Sequence, residues 1–137
     1  LLTLADDSGL EVDLLNGKPG IYSSRYAGPN ATDDENNQKL IKDLEQYKEE
    51  IITARFHSVI AIVETSKKEQ KIFHGIWEGR IKLEQKGKNG FGYDPLFFID
   101  DLGVTAAQLS DSKKNKLSHR ANAIRAATDY LLKKRNK

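Results

Sequence analysis

Residues 52–83 read ITARFHSVIAIVETSKKEQKIFHGIWEGRIKL, and both halves of this stretch have the pattern of a β-strand. Its first half, 52–64, is rich in β-branched and aromatic residues and places apolar side chains at alternate positions, as a half-buried strand does. The polar segment KKEQK interrupts this pattern, and a second β-like run follows at 72–83. The pattern predicts one long β-hairpin, against which the rest of the chain must pack.

The segments around this hairpin alternate between β-like runs and helices. The chain opens on two apolar runs, LLTLA and LEVDLL, which the polar residues DDSG separate. Thr32, with Glu35 three positions later, forms a capping box that starts one helix, and Ser118 caps the last helix. That last helix is predicted to bury the stripe formed by Ile124, Ala127, Leu131 and Leu132. The element order predicts a single domain over residues 1–137, of the α/β or α+β class with a mixed sheet.

Composition and charge exclude several classes of protein. The 137 residues carry 22 Lys and Arg against 20 Asp and Glu, so the bulk charge calls for neither a nucleic-acid nor a membrane partner. The absence of cysteine excludes a disulfide framework and a thiolate metal site. The longest apolar run, at 59–63, is too short to span a bilayer, and no signal peptide is visible. We therefore expect a soluble intracellular protein.

The first candidate for chemistry is the sequence ADDSG at residues 5–9. Side chains alternate across a strand, so Asp6 and Asp7 are predicted to point to opposite faces, and one of them can reach a site. A carboxylate in such a position suits a hard cation such as Mg²⁺. The alternative is a strand end whose aspartates cap a turn, and the motif alone does not separate the two.

The second candidate is the sequence KNGFGYDPLFF at residues 88–98. Phe91 or Tyr93 could stack on a flat heterocycle, and Asp94 could accept a hydrogen bond from a ring N–H. The alternative is a glycine-rich turn, made flexible by Gly92 and its neighbours, whose aromatic residues pack in the ordinary way.

The third candidate is the basic stretch at residues 113–127, KKNKLSHRANAIRAA. His119 and Arg120 lie at a predicted helix N-terminus, where backbone donors favour an anionic or electron-rich group. The alternatives are a solvated, capped helix start and a polynucleotide-binding patch, the second of which the small net charge argues against. The chain contains no phosphate-loop, nucleophile-elbow or zinc motif, which disfavours serine-nucleophile and zinc mechanisms.

Five motifs occur in one order from about residue 3 to about residue 132: ADDSGLEVD, GKPGIYSSRYAG, NGFGYDPLFF, TAAQLS and LSHRANAI. The ordered set resembles the non-canonical purine nucleoside triphosphate pyrophosphatases, the inosine-triphosphatase-like family. The resemblance implies an elongated α/β fold, with a long twisted mixed sheet flanked by helices and a nucleotide cleft between two lobes. It also implies Mg²⁺-dependent hydrolysis of ITP, dITP and XTP to the monophosphate and pyrophosphate by a cytoplasmic homodimer, with neither nucleic acid nor membrane as a partner.

The same resemblance assigns roles to individual residues. Asp7 matches the acidic residue that binds the metal and accepts the proton of the attacking water, and Ser8 matches a substrate contact. The other residues that match substrate contacts are Phe91, Gly92, Tyr93, Asp94, Lys114, His119 and Arg120. Donors from His119 or Arg120 would favour purines with a 6-oxo group, because the amino group of adenine would leave those donors unpaired.

The sequence departs from the family pattern at its start. The family carries a T/S-x-x-N-x-x-K-type phosphate loop and acidic metal ligands in a region that would stand before Leu1. We therefore expect residues 1–137 to be an N-terminally truncated pyrophosphatase domain. If the protein begins at Leu1, we expect little or no turnover; the alternative is that the missing segment belongs to a longer protein. The alternative to an enzyme is a fragment that binds the nucleotide without hydrolysing it.

Overall fold

The structure is a computed structural model that describes residues 1–136. These residues form one sheet whose spatial order follows the chain: β1 (Leu2–Val12), β2 (Ile52–Glu64), β3 (Glu69–Ile81), β4 (Phe97–Ile99) and β5 (Val104–Thr105). The α-helices are α1 (Asp33–Leu44), α2 (Asp111–Leu117) and α3 (His119–Arg135). Short 3₁₀ helices span Asp13–Leu15, Gly20–Arg25, Glu45–Tyr47 and Ala106–Gln108.

The long hairpin predicted from residues 52–83 is confirmed. β2 and β3 pair antiparallel along their whole length, from Ile52 opposite Ile81 to Glu64 opposite Glu69. One face of this hairpin is buried beneath α3, which packs against both strands. Gly75 of β3 permits the close approach, since a Cβ there would lie 1.9 Å from the carbonyl oxygen of His119.

The predicted mixed sheet is wrong for the part of the chain that the structure describes, where all four strand pairings are antiparallel. Parallel neighbours need a crossover connection, whereas β2 to β5 follow one another through turns and loops. The coarser prediction, an α/β protein with helices beside a sheet, is confirmed.

β1 is one continuous strand, although the sequence predicted two runs separated by DDSG. β1 pairs only with β2 in the described sheet and so forms its edge, and residues 2–7 are exposed. Because the carboxylates of Asp6 and Asp7 keep access to water there, the strand can include them without the cost of burying charge.

The core consists of two clusters of buried side chains. The larger one joins β1, α1 and the end of the hairpin away from the turn between β2 and β3. It contains Leu10, Leu40, Phe56 and Phe97. The smaller one lies between α3 and the part of the hairpin around Ile60 and Ile62, where Ala123 and Ala127 face the sheet. The predicted buried stripe on α3 is thus partly wrong, since Ile124 and Leu132 are about half exposed. Small alanine side chains lie at the contact because α3 packs closely against β3 at Gly75. No helix within residues 1–136 is long and apolar enough to cross a membrane.

Candidate functional site

A cleft of about 580 Å³ opens between β1, the 3₁₀ helix Gly20–Arg25, the loop at 91–94 and the start of α3. It is lined by all nine residues singled out from the sequence: Asp7, Ser8, Phe91, Gly92, Tyr93, Asp94, Lys114, His119 and Arg120. Its volume lies in the range typical of small-molecule sites. Segments more than 100 residues apart in the chain therefore meet at one site.

The strand β1 presents its polar residues to two different environments. Ser8 Oγ lies 2.6 Å from His119 Nε2, and Arg120 Nε lies 3.0 Å from Asp6 Oδ2, so these side chains face α3. Asp7 points to the other face, where it lines a second cavity of about 170 Å³ together with His57. The predicted division of Asp6 and Asp7 between opposite faces is confirmed, and Asp7 stands where the cleft and the smaller cavity meet.

Asp94 holds the loop at 91–94 in shape. Its carboxylate, 3% exposed, forms an ion pair with the ammonium group of Lys114 and accepts a 3.0 Å hydrogen bond from the backbone N–H of Phe91. Burial raises the pKa of Asp94, and the hydrogen bond from Lys114 opposes that rise. Gly90 has a positive φ of 73°, and a Cβ there would lie 2.1 Å from Asp94 Oδ2, so only glycine fits at this position. A contact between Asp94 and a base stays a prediction.

The two aromatic residues of the loop differ in what they offer a ligand. Phe91 is 57% exposed, with Lys114 Nζ 4.3 Å and the guanidinium carbon of Arg120 5.5 Å from its ring centroid. Tyr93 is 4% exposed, and its hydroxyl donates a 2.6 Å hydrogen bond to the carbonyl oxygen of Ser23. Phe91 is therefore the ring that a ligand can reach, while Tyr93 fastens the loop to the 3₁₀ helix Gly20–Arg25.

Residues of α1 that were not predicted from the sequence anchor the loop at 91–94 and the 3₁₀ helix Gly20–Arg25. The backbone of Gly92 donates to Asp33 Oδ2 and accepts from Asn37 Nδ2, both at 2.9 Å. Asn36, which also lines the cleft, donates to the carbonyl oxygen of Ser24 at 3.0 Å. Asn36 and Asn37 are both buried on α1. Two adjacent asparagines inside a helix are poor helix formers, which is the signal that could have marked them as having a tertiary role.

His119 is a neutral hydrogen-bonding group. Its ring stacks on Phe56 at 4.8 Å between centroids, and burial first, then the charges of Arg120 and Lys114, lower its pKa to about 4. Ser8 and His119 have the spacing of a nucleophile and its base. However, Nδ1 has no hydrogen-bond partner among residues 1–136, and an imidazole with so low a pKa takes up a proton poorly at neutral pH. The pair therefore suits ligand recognition better than acyl transfer.

The depressed pKa of His119 predicts a pH-dependent stability. Between about pH 6.5 and 4 the unfolded chain binds a proton at this residue that the folded chain does not, so stability falls as the pH falls through that range. The change in the free energy of unfolding that His119 causes over this pH range is at most about 3 kcal/mol. Urea unfolding from pH 4 to 7 should show a flatter dependence for His119→Gln than for the unchanged chain. The same substitution at the exposed His74 is the control, and equal slopes for all three proteins would contradict the expectation.

Asp7 is a carboxylate of the cleft that is available to a metal ion, whereas Asp33, which also lines the cleft, accepts the backbone N–H of Gly92. Asp6 and Asp94 have cationic partners, whereas Asp7 accepts only the backbone N–H of Ser8, at 3.0 Å, within the described residues. No group of three or more His, Cys, Asp or Glu side chains in residues 1–136 is arranged to hold a metal ion. Mg²⁺ is commonly held by one or two carboxylates together with substrate phosphates and water, and the single carboxylate of Asp7 fits that pattern.

Comparison with known proteins relates the whole chain to one group. The profile described as the Ham1 family matches residues 1–130. A dITP/XTP pyrophosphatase of Thermoanaerobacter sp. (strain X514) is 49% identical over 133 residues, covering 97% of this chain and 66% of the relative. The solved structures of a HAM1 protein from Coxiella burnetii and of the Staphylococcus aureus Ham1 protein share 47% and 44% sequence identity with this chain, with TM-scores of 0.92 and 0.91. Each comparison covers 97% of this chain and 68% of the solved one, so the chain spans about two thirds of the length of these relatives.

Proposed function

Because the chain belongs to the Ham1 family, we propose that it hydrolyses the non-canonical purine nucleoside triphosphates ITP, dITP and XTP to the monophosphate and pyrophosphate. Two of its relatives are named dITP/XTP pyrophosphatases, which supports dITP and XTP as substrates. The observation that carries the proposal is the single cleft, in which the proposed catalytic carboxylate and the base-binding residues lie together.

The base end of the cleft is formed by the loop at 91–94 and the start of α3. In this proposal the purine stacks on the exposed ring of Phe91, over which the cations of Lys114 and Arg120 also lie. Arg120 carries donors and no acceptor, so it pairs with the 6-oxo group of hypoxanthine or xanthine and not with the 6-amino group of adenine. Ser8, held by His119, supplies a hydroxyl at the same end.

The catalytic end lies at Asp7. We propose that its carboxylate holds Mg²⁺ and accepts the proton of the water that attacks the triphosphate. The ion, when bound, supplies charge neutralisation at the phosphate oxygens, which is the main requirement of phosphoryl chemistry. The exposure of Asp7 and its freedom from a cationic side chain within residues 1–136 leave the carboxylate available for both tasks.

The proposal also includes the overall shape of the protein and its quaternary structure. We propose the elongated two-lobed form, with the nucleotide in the groove between the lobes, and a homodimer in solution that acts on the cytoplasmic nucleotide pool. Light scattering at several protein concentrations measures the oligomeric state directly.

A second candidate function is nucleotide binding without turnover. It is favoured by the distribution of anchoring contacts, because Asp94, Lys114, Asp33 and Asn37 all fix the base end of the cleft. This candidate predicts saturable binding of ITP or IMP and no release of pyrophosphate.

The test is a panel of ITP, XTP, dITP, GTP and ATP with Mg²⁺ and separate detection of pyrophosphate and phosphate. We expect pyrophosphate from the 6-oxo nucleotides ITP, XTP and dITP, and much less product from ATP. ITP binding without any product would support the second candidate, and phosphate in place of pyrophosphate would contradict the proposed reaction.

A further inference from the structure

Asp6 lines the cleft, but the proposed reaction gives it no role. It precedes Asp7 on β1 and faces α3, because side chains alternate along a strand. Its Oδ1 accepts a long, 3.4 Å hydrogen bond from Ser58 Oγ, and its Oδ2 lies 3.0 Å from Arg120 Nε. Ser58 is fully buried in β2. One carboxylate oxygen of Asp6 therefore contacts Ser58 in the sheet, and the other contacts Arg120.

This contact leaves most of the Arg120 guanidinium free. The Nε–H does not point along the line to Asp6, so the contact is an ion pair without an aligned hydrogen bond. The two terminal nitrogens of Arg120 make no hydrogen bond to any residue in 1–136. The guanidinium carbon lies over the ring of Phe91, 5.5 Å from its centroid, so these free donors lie next to the exposed aromatic side chain.

The Asp6–Arg120 pair contributes little to folding. Both side chains are 40% exposed, and ion pairs of that kind are worth about 0–1 kcal/mol. The guanidinium already lies over the ring of Phe91, and a cation–π contact attracts the charge without fixing the direction of the N–H donors, so the Asp6 carboxylate is the contact that orients them. The main effect of the ion pair is thus to orient the side chain of Arg120.

We propose that Asp6 is a positioning residue, which holds Arg120 beside Phe91 so that the free guanidinium donors meet the 6-oxo edge of a purine. In this way Asp6 sets the preference for 6-oxo over 6-amino bases, although it does not touch the base. The inference rests on the proposed function, since it assumes that a purine nucleotide occupies the cleft. The adjacent carboxylates then have separate tasks: Asp6 acts on base selection and Asp7 on hydrolysis.

The test compares the affinities for ITP and ATP, measured by calorimetry without Mg²⁺, in the unchanged chain, Asp6→Asn, Arg120→Ala and the double variant. We expect the ITP-to-ATP affinity ratio to fall about tenfold in Asp6→Asn, the loss typical of one charge-assisted hydrogen bond. The ratio is the readout because removal of a negative charge alone strengthens the binding of both anionic nucleotides. In the Arg120→Ala background, Asp6→Asn should change the ratio no further, since the residue it positions is gone.

Asp100→Asn is the matched control, because it breaks another partly exposed ion pair, Arg80–Asp100 at 2.6 Å, that does not line the cleft. It should leave the ratio unchanged. An unchanged ratio in Asp6→Asn, a further loss in the double variant, or a melting temperature lowered by more than a few degrees in Asp6→Asn would overturn the positioning role. An unchanged chain that binds neither nucleotide, or that binds ATP as tightly as ITP, would instead overturn the proposed function.

Discussion

Asp7→Asn is expected to lower the turnover of ITP by about 10²–10⁴-fold, the range for loss of a general base. Asparagine keeps the shape of the side chain but can neither accept the proton of the attacking water nor supply a charged ligand to Mg²⁺. The base end of the cleft does not depend on Asp7, because Asp7 points to the opposite face of β1 from Ser8. Binding of ITP without Mg²⁺ should therefore persist, whereas the strengthening of binding by added Mg²⁺ should be lost.

Pyrophosphate release and calorimetry with and without Mg²⁺ measure these two effects separately. Asp101→Asn is the matched control, since it makes the same substitution at an exposed turn between β4 and β5. Turnover and Mg²⁺ dependence that are the same in Asp7→Asn as in this control would remove Asp7 from the mechanism.

Lys114→Met is expected to destabilise the fold by about 3–5 kcal/mol, the cost of leaving a buried charge without its partner. The side chains of Asp94 and Lys114 are 3% and 13% exposed, so the carboxylate that remains cannot recover its solvation. Burial already raises the pKa of Asp94, and removal of the lysine removes the contact that opposes this rise. The variant should lose further stability as the pH rises through the folded pKa of Asp94, because the carboxyl must then ionise in a buried site.

Thermal unfolding should show a drop of roughly 10 °C or more for Lys114→Met in a chain of this length. Lys113→Met, at an exposed position on the same helix, is the control and should stay within about 2 °C. The double variant Asp94→Asn/Lys114→Met should recover part of the loss, because it removes the unpaired charge. A double variant less stable than the single one would show that the ion pair is not the cause.

The features that could be predicted from the sequence depend on short, contiguous motifs. The hairpin followed from the alternation of apolar side chains, and the capping box of α1 followed from the spacing of Thr32 and Glu35. Both depend on interactions between residues close in the chain, so local pattern suffices. The same is true of Gly90 and Gly92, whose positive φ values the glycine-rich loop indicates.

Other features could not be predicted because they depend on partners far away in the chain. DDSG looks like a break in a strand until its position at the sheet edge is known, which leaves its carboxylates solvated. Asn36 and Asn37 gain their roles only because the loop at 91–94 and the 3₁₀ helix Gly20–Arg25 pack beside α1. Tyr93 and Phe91 are equally aromatic, and only burial distinguishes the anchor from the exposed face.

That Asp6 and Asp7 point to opposite sides of their strand could be predicted from the order of residues, since the two-residue repeat of a strand is a property of the backbone. Which of the two side chains faces α3 depends on the tertiary structure. α3 packs on one face of the sheet because Gly75 lets the backbone of His119 come close, and this brings Arg120 to Asp6 and His119 to Ser8. Contacts between residues more than 40 positions apart depend on the free energy of the whole packed core, which no local pattern of side chains encodes.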